Sequence, residues 1–309
     1  MPPFFSVIVP TFNRAVLLRE ALDSIVRQTF RDFELLVVDD GSSDETEAVV
    51  SSCGMPVRFL RQANQGPGAA RNLALSRAQG QYVAFLDSDD QWFPWTLDTY
   101  HRIITSQNHP AFMSGVAIPL ENPALRSAID PTTLDIRPFP HLLAACTDRV
   151  PPVGGTPSIC LDRLALKESG GFVSRRISGE DTELWLRLGL KPGFVRILHP
   201  PVFLQRKHTG NVTNQLDPSL AGGRYLMQQE RSDAFPGGSA FRQKRRRIIC
   251  GTVRSLCLDC LQAGRLIDAC SLYLATFAWN LALGNLKFLA GFPLLAVRSF
   301  AQARMACGS

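Results

Sequence analysis

The chain reads as an α/β protein with a mostly parallel sheet flanked by helices, followed by an α-helical C-terminal appendage. Three observations carry that reading. Short apolar or β-branched runs alternate with helix-spaced segments over roughly the first hundred residues, a pattern that calls for parallel strands joined by right-handed crossovers. The runs end in Pro, Gly, Asn or Asp clusters rather than continuing, as strands do at their exit loops. After Gly222 the pattern turns helical and stays so.

Residues 4–9 form the first strand-like run, and Pro10-Thr11-Phe12-Asn13 reads as its exit loop. Ala15, Leu18, Leu22, Ile25 and Val26 then fall at helical spacing within residues 14–28. The unit repeats. A second run at 33–38 ends in Asp39-Asp40-Gly41-Ser42-Ser43-Asp44, with a helical stretch at 45–51 behind it. A third run at 57–60 leads through Asn64-Gln65-Gly66-Pro67-Gly68 into a good helix former at 69–78, with Arg71 near its start. The fourth run, Gln81 to Leu86, stops abruptly in Asp87-Ser88-Asp89-Asp90. In a parallel sheet all four ends lie on one edge, where such sheets bind ligands.

Three carboxylates within four positions at a strand end repel one another or share a cation. Hard divalent ions prefer such oxygens, and Mg²⁺ is commonly held by one or two carboxylates plus substrate phosphates. An acidic, solvated turn ahead of the helix after Pro94 is the plainer alternative. The convergence of Pro10-Thr11, Asp39-Asp40, the Gly66 to Arg71 loop and Asp87 to Asp90 on one crevice favours a ligand with a base or ribose, phosphates and a metal. A nucleoside diphosphate conjugate has those parts.

At this point the motifs resemble the family 2 glycosyltransferases. The resemblance is carried by Ser6-Val7-Ile8-Val9-Pro10-Thr11-Phe12-Asn13-Arg14, Val37-Val38-Asp39-Asp40-Gly41-Ser42, Asn64-Gln65-Gly66-Pro67-Gly68-Ala69-Ala70-Arg71-Asn72 and Phe85-Leu86-Asp87-Ser88-Asp89-Asp90, in that order. It continues through Ser169-Gly170-Gly171-Phe172 and Ser178-Gly179-Glu180-Asp181, covering about residues 4–209. It implies a GT-A type fold with a Rossmann-like nucleotide-binding half, and an inverting transferase that uses a nucleotide diphosphate sugar, expected to be a UDP-sugar.

By that resemblance Asp39 bonds the uracil or ribose, while Pro10 and Thr11 shape the base pocket, with Asp40 and Gly66 beside them. Turn chemistry is the alternative for this segment, since Ser42 and Glu45 have capping-box spacing. Arg71, just inside a helix start, is expected to reach the diphosphate. Asp89 is the principal metal ligand, with Asp87 contacting the sugar or ribose and Asp90 second; Mg²⁺ or Mn²⁺ would bridge the phosphates and offset charge on the leaving diphosphate. His208 is a further candidate for the metal shell. Asp181 is the expected general base that takes the acceptor hydroxyl's proton, with Glu180 the alternative. Ser178 reads as the N-cap of their helix, where acidic residues are stabilising in any case.

The 309 residues are 45% hydrophobic, enough for a substantial core, and the expected division is a GT-A domain at 1–215 and a helical region at 216–309. The net charge of +6 is concentrated late, in Arg242, Lys244, Arg245, Arg246 and Arg247. No aromatic interleaving supports nucleic acid as their partner. A peripheral contact with an anionic membrane is expected instead, because a basic cluster beside apolar helices suits an anionic leaflet; residues 269–286 carry no charge, but Asn280, Gly284 and Asn285 weaken a span, and a helix pair packed on the first domain is the other alternative. The eight scattered cysteines are expected reduced, and the lone Cys257/Cys260 pair reads as buried small residues of one helix face. The first apolar run is too short for a signal peptide, so the chain is expected on the cytoplasmic side.

The expected activity is sugar transfer to a hydroxyl of a glycan or lipid-linked acceptor in cell-surface or exported glycan synthesis, the acceptor pocket lying within residues 112–160. Two alternatives stand beside it. A sugar nucleotidyltransferase is disfavoured because Pro10-Thr11-Phe12-Asn13-Arg14 stands where those enzymes carry a Gly-rich basic loop. A non-catalytic membrane-surface binding protein does not account for metal carboxylates and a candidate base in one chain.

Overall fold

A computed structural model describes residues 1–121, 129–146, 153–206 and 215–307, with side chains to residue 300. The first half runs β1 (Phe5–Thr11), α1 (Ala15–Val26), β2 (Phe33–Asp39), α2 (Thr46–Ser51), β3 (Arg58–Arg61), α3 (Pro67–Arg77) and β4 (Tyr82–Phe85). Then come β5 (Gln91–Trp92), α4 (Thr96–Ser106), β6 (Phe112–Ser114), β7 (Ala117–Pro119), β8 (Asp135–Phe139), α5 (Leu142–Ala145) and β9 (Ile159–Asp162). The remaining elements of this part are α6 (Arg163–Glu168), α7 (Glu180–Arg187), β10 (Phe194–His199) and β11 (Phe203–Gln205). Helices α8 (Leu216–Arg231), α9 (Gly238–Gln262), α10 (Leu266–Ala282) and α11 (Leu286–Cys307) complete the chain.

The chain forms two compact units, Met1–Arg176 with Glu180–Thr209, and Ile177–Gly179 with Gly210–Ser309. The first is built on a mixed sheet of order β3-β2-β1-β4-β9-β6-β10-β8. Its β3-β2-β1-β4 half is parallel throughout, so the ends of these strands share one edge. The order reverses between β1 and β4, the position at which such sheets open a crevice.

Why this half is buried on both faces follows from strand alternation. Phe5, Val7, Val9, Leu35, Val37, Tyr82 and Ala84 point to one side, onto α1, α2 and α4. Ile8, Leu36, Val38, Val83 and Phe85 point to the other, onto α3 and α7. Continuous apolar runs are what two-sided burial requires.

Two local expectations are corrected. Pro10 and Thr11 do not lie in a loop but extend β1, paired with Val38 and Asp39. The β4 ladder has already ended at Ile8, opposite Phe85, so the N–H that proline lacks is not needed on that side. The Ser42/Glu45 capping box is not formed: Ser42 Oγ accepts from Asn13 N at 2.8 Å, and Asp44 caps Thr46 instead.

In the helical unit the basic cluster turns partly inward, contrary to expectation. Glu230 on α8 is fully buried, and an uncompensated buried carboxylate is costly. Arg245 supplies the counter-charge at 2.7 Å and also donates to the Pro236 and Gly238 carbonyls. Arg246 lies 4.7 Å over the Trp279 ring, and Arg242 pairs with Asp233. Cys250, Cys257 and Cys260 are buried on α9, without disulfides. The uncharged run at 269–286 is split by the turn between α10 and α11. No described helix is long and apolar enough to cross a membrane.

Candidate functional site

The parallel edge gathers the sequence-predicted groups in the first unit. Asp39, the last residue of β2, is 1% exposed; its Oδ1 accepts from Ser42 N at 2.8 Å and its Oδ2 lies 3.3 Å from Arg61 Nε. Beside it Thr11 ends β1, with its Oγ1 buried and without a hydrogen-bond partner among the described residues. A buried hydroxyl without a partner at a crevice is one that a ligand can complete.

Asp40 serves the loop ahead of α3. Its Oδ1 accepts from Gln62 Nε2 and Gln65 N, and its Oδ2 from Gly66 N at 2.8 Å. Both oxygens are thus engaged by the loop's backbone and by Gln62, so Asp40 is a clamp on the Gly66 turn. Gly66 sits at φ +93°, a conformation glycine takes without strain, and Pro67 opens the helix behind it.

Arg71 is placed differently from expectation. It is 3% exposed and held between two carboxylates, Nη2 2.7 Å from Asp87 Oδ1 and Nη1 2.8 Å from Glu180 Oε1. Its guanidinium lies 5.2 Å over the Phe172 ring. Burial works against the charge, but Asp87 and Glu180 outweigh it and hold the group protonated. Its Nη groups therefore face protein acids; Nε is buried with no partner among the described residues.

The close approach that makes this bridge possible is set by small residues. A Cβ on Gly68 would lie 2.6 Å from Val173 O, and one on Gly171 2.5 Å from Asn72 Oδ1. Asn72 Oδ1 accepts from Phe172 N and its Nδ2 donates to Phe172 O, tying α3 to the segment ahead of α7. The Asn72 staple carries no role in the sequence reading, although the residue stands in the matched motif.

The three strand-end acids are each engaged. Asp89 Oδ2 meets Arg14 Nη1 at 2.5 Å, and Asp90 Oδ1 accepts from Arg206 N at 2.9 Å. Burial, and then the neighbouring Asp87 charge, push Asp90 up to about 8. Arg206 also donates through Nε to Asp89 O and pairs with Glu20. Arg14 and Arg206 thus frame the acidic loop, a part sequence reasoning left unassigned for Arg14. Its position four residues past Pro10 was the available signal.

Among the described residues no three His, Cys, Asp or Glu side chains stand close enough to cage an ion by themselves. The donor set still fits a hard divalent ion of the kind completed by phosphate oxygens, since Asp87, Asp89 and Asp90 are all-oxygen ligands on one turn. His208 lies outside the described residues.

Asp181 opens α7 next to Glu180. Its Oδ1 accepts from Thr182 N at 2.5 Å. Burial, and then the Glu180 charge, raise it to about 7. Glu180 is spent on Arg71, which leaves Asp181 as the acid of this pair without an ion-pair partner recorded among the described residues. The elevated value makes it a carboxylate able to exchange a proton near neutrality.

Known proteins are similar to parts of this chain. Residues 6–127 match the model of "Glycosyl transferase family 2". A Rickettsia felis protein described as an uncharacterized glycosyltransferase is 31% identical over 188 residues, 60% of this chain and 30% of its own length. A Campylobacter jejuni GalNAc(5)-diNAcBac-PP-undecaprenol beta-1,3-glucosyltransferase is 44% identical over 102 residues, 31% of this chain and 33% of that protein. The chain therefore spans about a third or less of these curated relatives. Among solved structures, S. aureus TarS 1-349 superposes with a TM-score of 0.59 at 19% identity, covering 97% of this chain and 91% of that one. The Pyrobaculum calidifontis mannosyltransferase PcManGT, solved with GDP-Man and Mn²⁺, gives 0.55 at 19% identity, with 96% and 86% covered. At those identities the likeness is one of fold, and the fold is that of the GT-A glycosyltransferases.

Proposed function

We propose, from the match of residues 6–127 to the model of glycosyl transferase family 2, that this chain belongs to that family and moves a sugar from a nucleotide diphosphate donor to a hydroxyl acceptor with inversion. The observation that carries the reading is the bridge Asp87–Arg71–Glu180, which fixes the acidic strand end and the Asp181 helix in one frame. A donor-side acid and a candidate base are thereby held at a set relation within one unit.

In this reading Asp39, Thr11 and Pro10 bind the nucleoside, and Asp40 holds the Gly66 turn against it. Asp89 would be the principal ligand of Mg²⁺ or Mn²⁺, with Asp87 and Asp90 beside it, and such an ion would supply positive charge to offset that of the leaving diphosphate. Arg14 and Arg206 orient the acidic loop. Asp181 accepts the acceptor hydroxyl's proton as that oxygen attacks the anomeric carbon and the bond to the diphosphate breaks. Because attack and departure occur on opposite faces, the configuration inverts. Arg71 is a positioning residue in this scheme.

A UDP-sugar donor is supported by the solved TarS complexes with UDP and with UDP-GlcNAc, and a divalent ion by the PcManGT complex. A lipid-linked glycan acceptor is supported by the C. jejuni relative, whose name specifies an undecaprenol-linked acceptor, and a peripheral site at the cytoplasmic face of an anionic membrane is proposed with it. The test is calorimetric titration with UDP, UDP-sugars and GDP-mannose, with and without Mn²⁺. Metal-dependent binding that Asp89→Ala removes supports the reading; absence of binding by any nucleotide under any ion overturns it.

A further inference from the structure

Helices α10 and α11 are joined by a short turn and pack on each other through Tyr273, whose ring stacks on Phe292 at 4.4 Å and whose hydroxyl donates to Leu289 O. Their inner faces are thus satisfied. Their outer faces are not polar, as a solvated helix pair's would be. Ile267, Leu274 and Leu281 recur two turns apart along α10 and are 87%, 69% and 54% exposed. On α11, Leu286, Leu294 and Val297 are 62%, 68% and 68% exposed. Exposed large apolar side chains recurring along neighbouring helices mark an interaction site.

The charge pattern selects the partner. Between residues 266 and 300 the charged residues are Asp268, Lys287 and Arg298. Asp268 is taken up by Arg224 and Arg265. Lys287 and Arg298 are exposed, so the outward charge is cationic only. A second copy is a poor fit, because a two-fold contact sets this face against itself and brings its cations onto an equally acid-free surface. A span does not arise, as no described helix is long and apolar enough. Leu, Ile and Val on one side with cations at the margin is the chemistry of a helix lying in the plane of a lipid interface.

We propose that the outer face of the α10–α11 pair is a docking surface for an anionic phospholipid bilayer. This rests on the membrane-surface part of the reading above and not on sugar transfer. It also moves the docking surface away from residues 242–247, several of which are occupied inside the helical unit.

The experiment is co-sedimentation of the full chain with phosphatidylcholine vesicles and with mixed phosphatidylcholine/phosphatidylglycerol vesicles, alongside sizing in solution. The wild type is expected to pellet with the anionic vesicles and to be released by salt. The exposed-site double variant Leu274→Glu/Leu294→Glu is expected to stay in the supernatant with an unchanged melting temperature. Lys287→Glu/Arg298→Glu is expected to weaken partition by about tenfold or more. Three results overturn the inference: a wild type that does not pellet, equal pelleting on neutral vesicles, or a wild-type oligomer that Leu274→Glu/Leu294→Glu dissociates without altering vesicle binding. None of these readouts depends on catalysis, so failure of the transferase reading leaves a separate signature.

Discussion

Asp181 and Asp90 are acids whose burial holds them protonated well above the ordinary carboxylate value of about 3.9. Between that value and their folded values of about 7 and about 8 the folded chain binds more protons than the unfolded one. The stabilisation that protonation confers is complete below the unfolded value and is lost as pH rises through the folded ones. In the absence of divalent ions the urea midpoint should therefore fall between about pH 4 and pH 8. Asp90→Asn, which keeps an acceptor for Arg206 N, should flatten that fall; an identical slope would refute the assignment. The same Asp181 value predicts that transfer rises through about pH 7 as the base ionises. Asp181→Asn should bind donor normally while losing about 10²–10⁴ in kcat. Arg71 makes a third prediction. Arg71→Met strands two acids and should cost about 3–5 kcal/mol in urea unfolding, whereas loss of donor affinity with unchanged stability would return Arg71 to the phosphates. Its pairing with Glu180 spans 109 positions, which is why the motif alone pointed to the diphosphate and not to a neighbouring acid.

At the level of elements, the four strand ends were legible because strands buried on both faces read as unbroken apolar runs and their exits as acidic or glycine-rich loops. What each acid does at its exit was less legible. Asp39 and Asp40 are adjacent and chemically identical, yet one is engaged by Ser42 N and Arg61 while the other holds the Gly66 turn. Asp40→Ala should leave Gly66 N buried and unpaired, costing about 1–3 kcal/mol and raising the donor KM; an unchanged KM would separate the turn from the donor. Pro10 was misplaced because proline ordinarily ends a strand, and the β4 ladder's early stop is a tertiary fact. In the helical unit, a Cβ on Gly222 would lie 1.7 Å from Ser178 O. Gly222→Ala should lower the melting temperature by the equivalent of at least about 1–3 kcal/mol, and a neutral result would mean that α8 sits further from that segment.

For the molecule as a whole, sequence motifs located the parallel edge, the acidic loop and the Asp181 helix start in the first unit. They did not locate the inward turn of the basic cluster, because nothing near Arg245 in sequence announces that Glu230 is buried opposite it. The central claim is that a donor held at the strand-end acids is activated toward a hydroxyl deprotonated by Asp181. Its most direct measurement is nucleotide diphosphate release from a panel of sugar nucleotides with Mn²⁺, water serving as the acceptor, for wild type and Asp181→Asn at matched donor occupancy. The account predicts slow release by the wild type and almost none by the variant. Equal release by both at equal occupancy would contradict it.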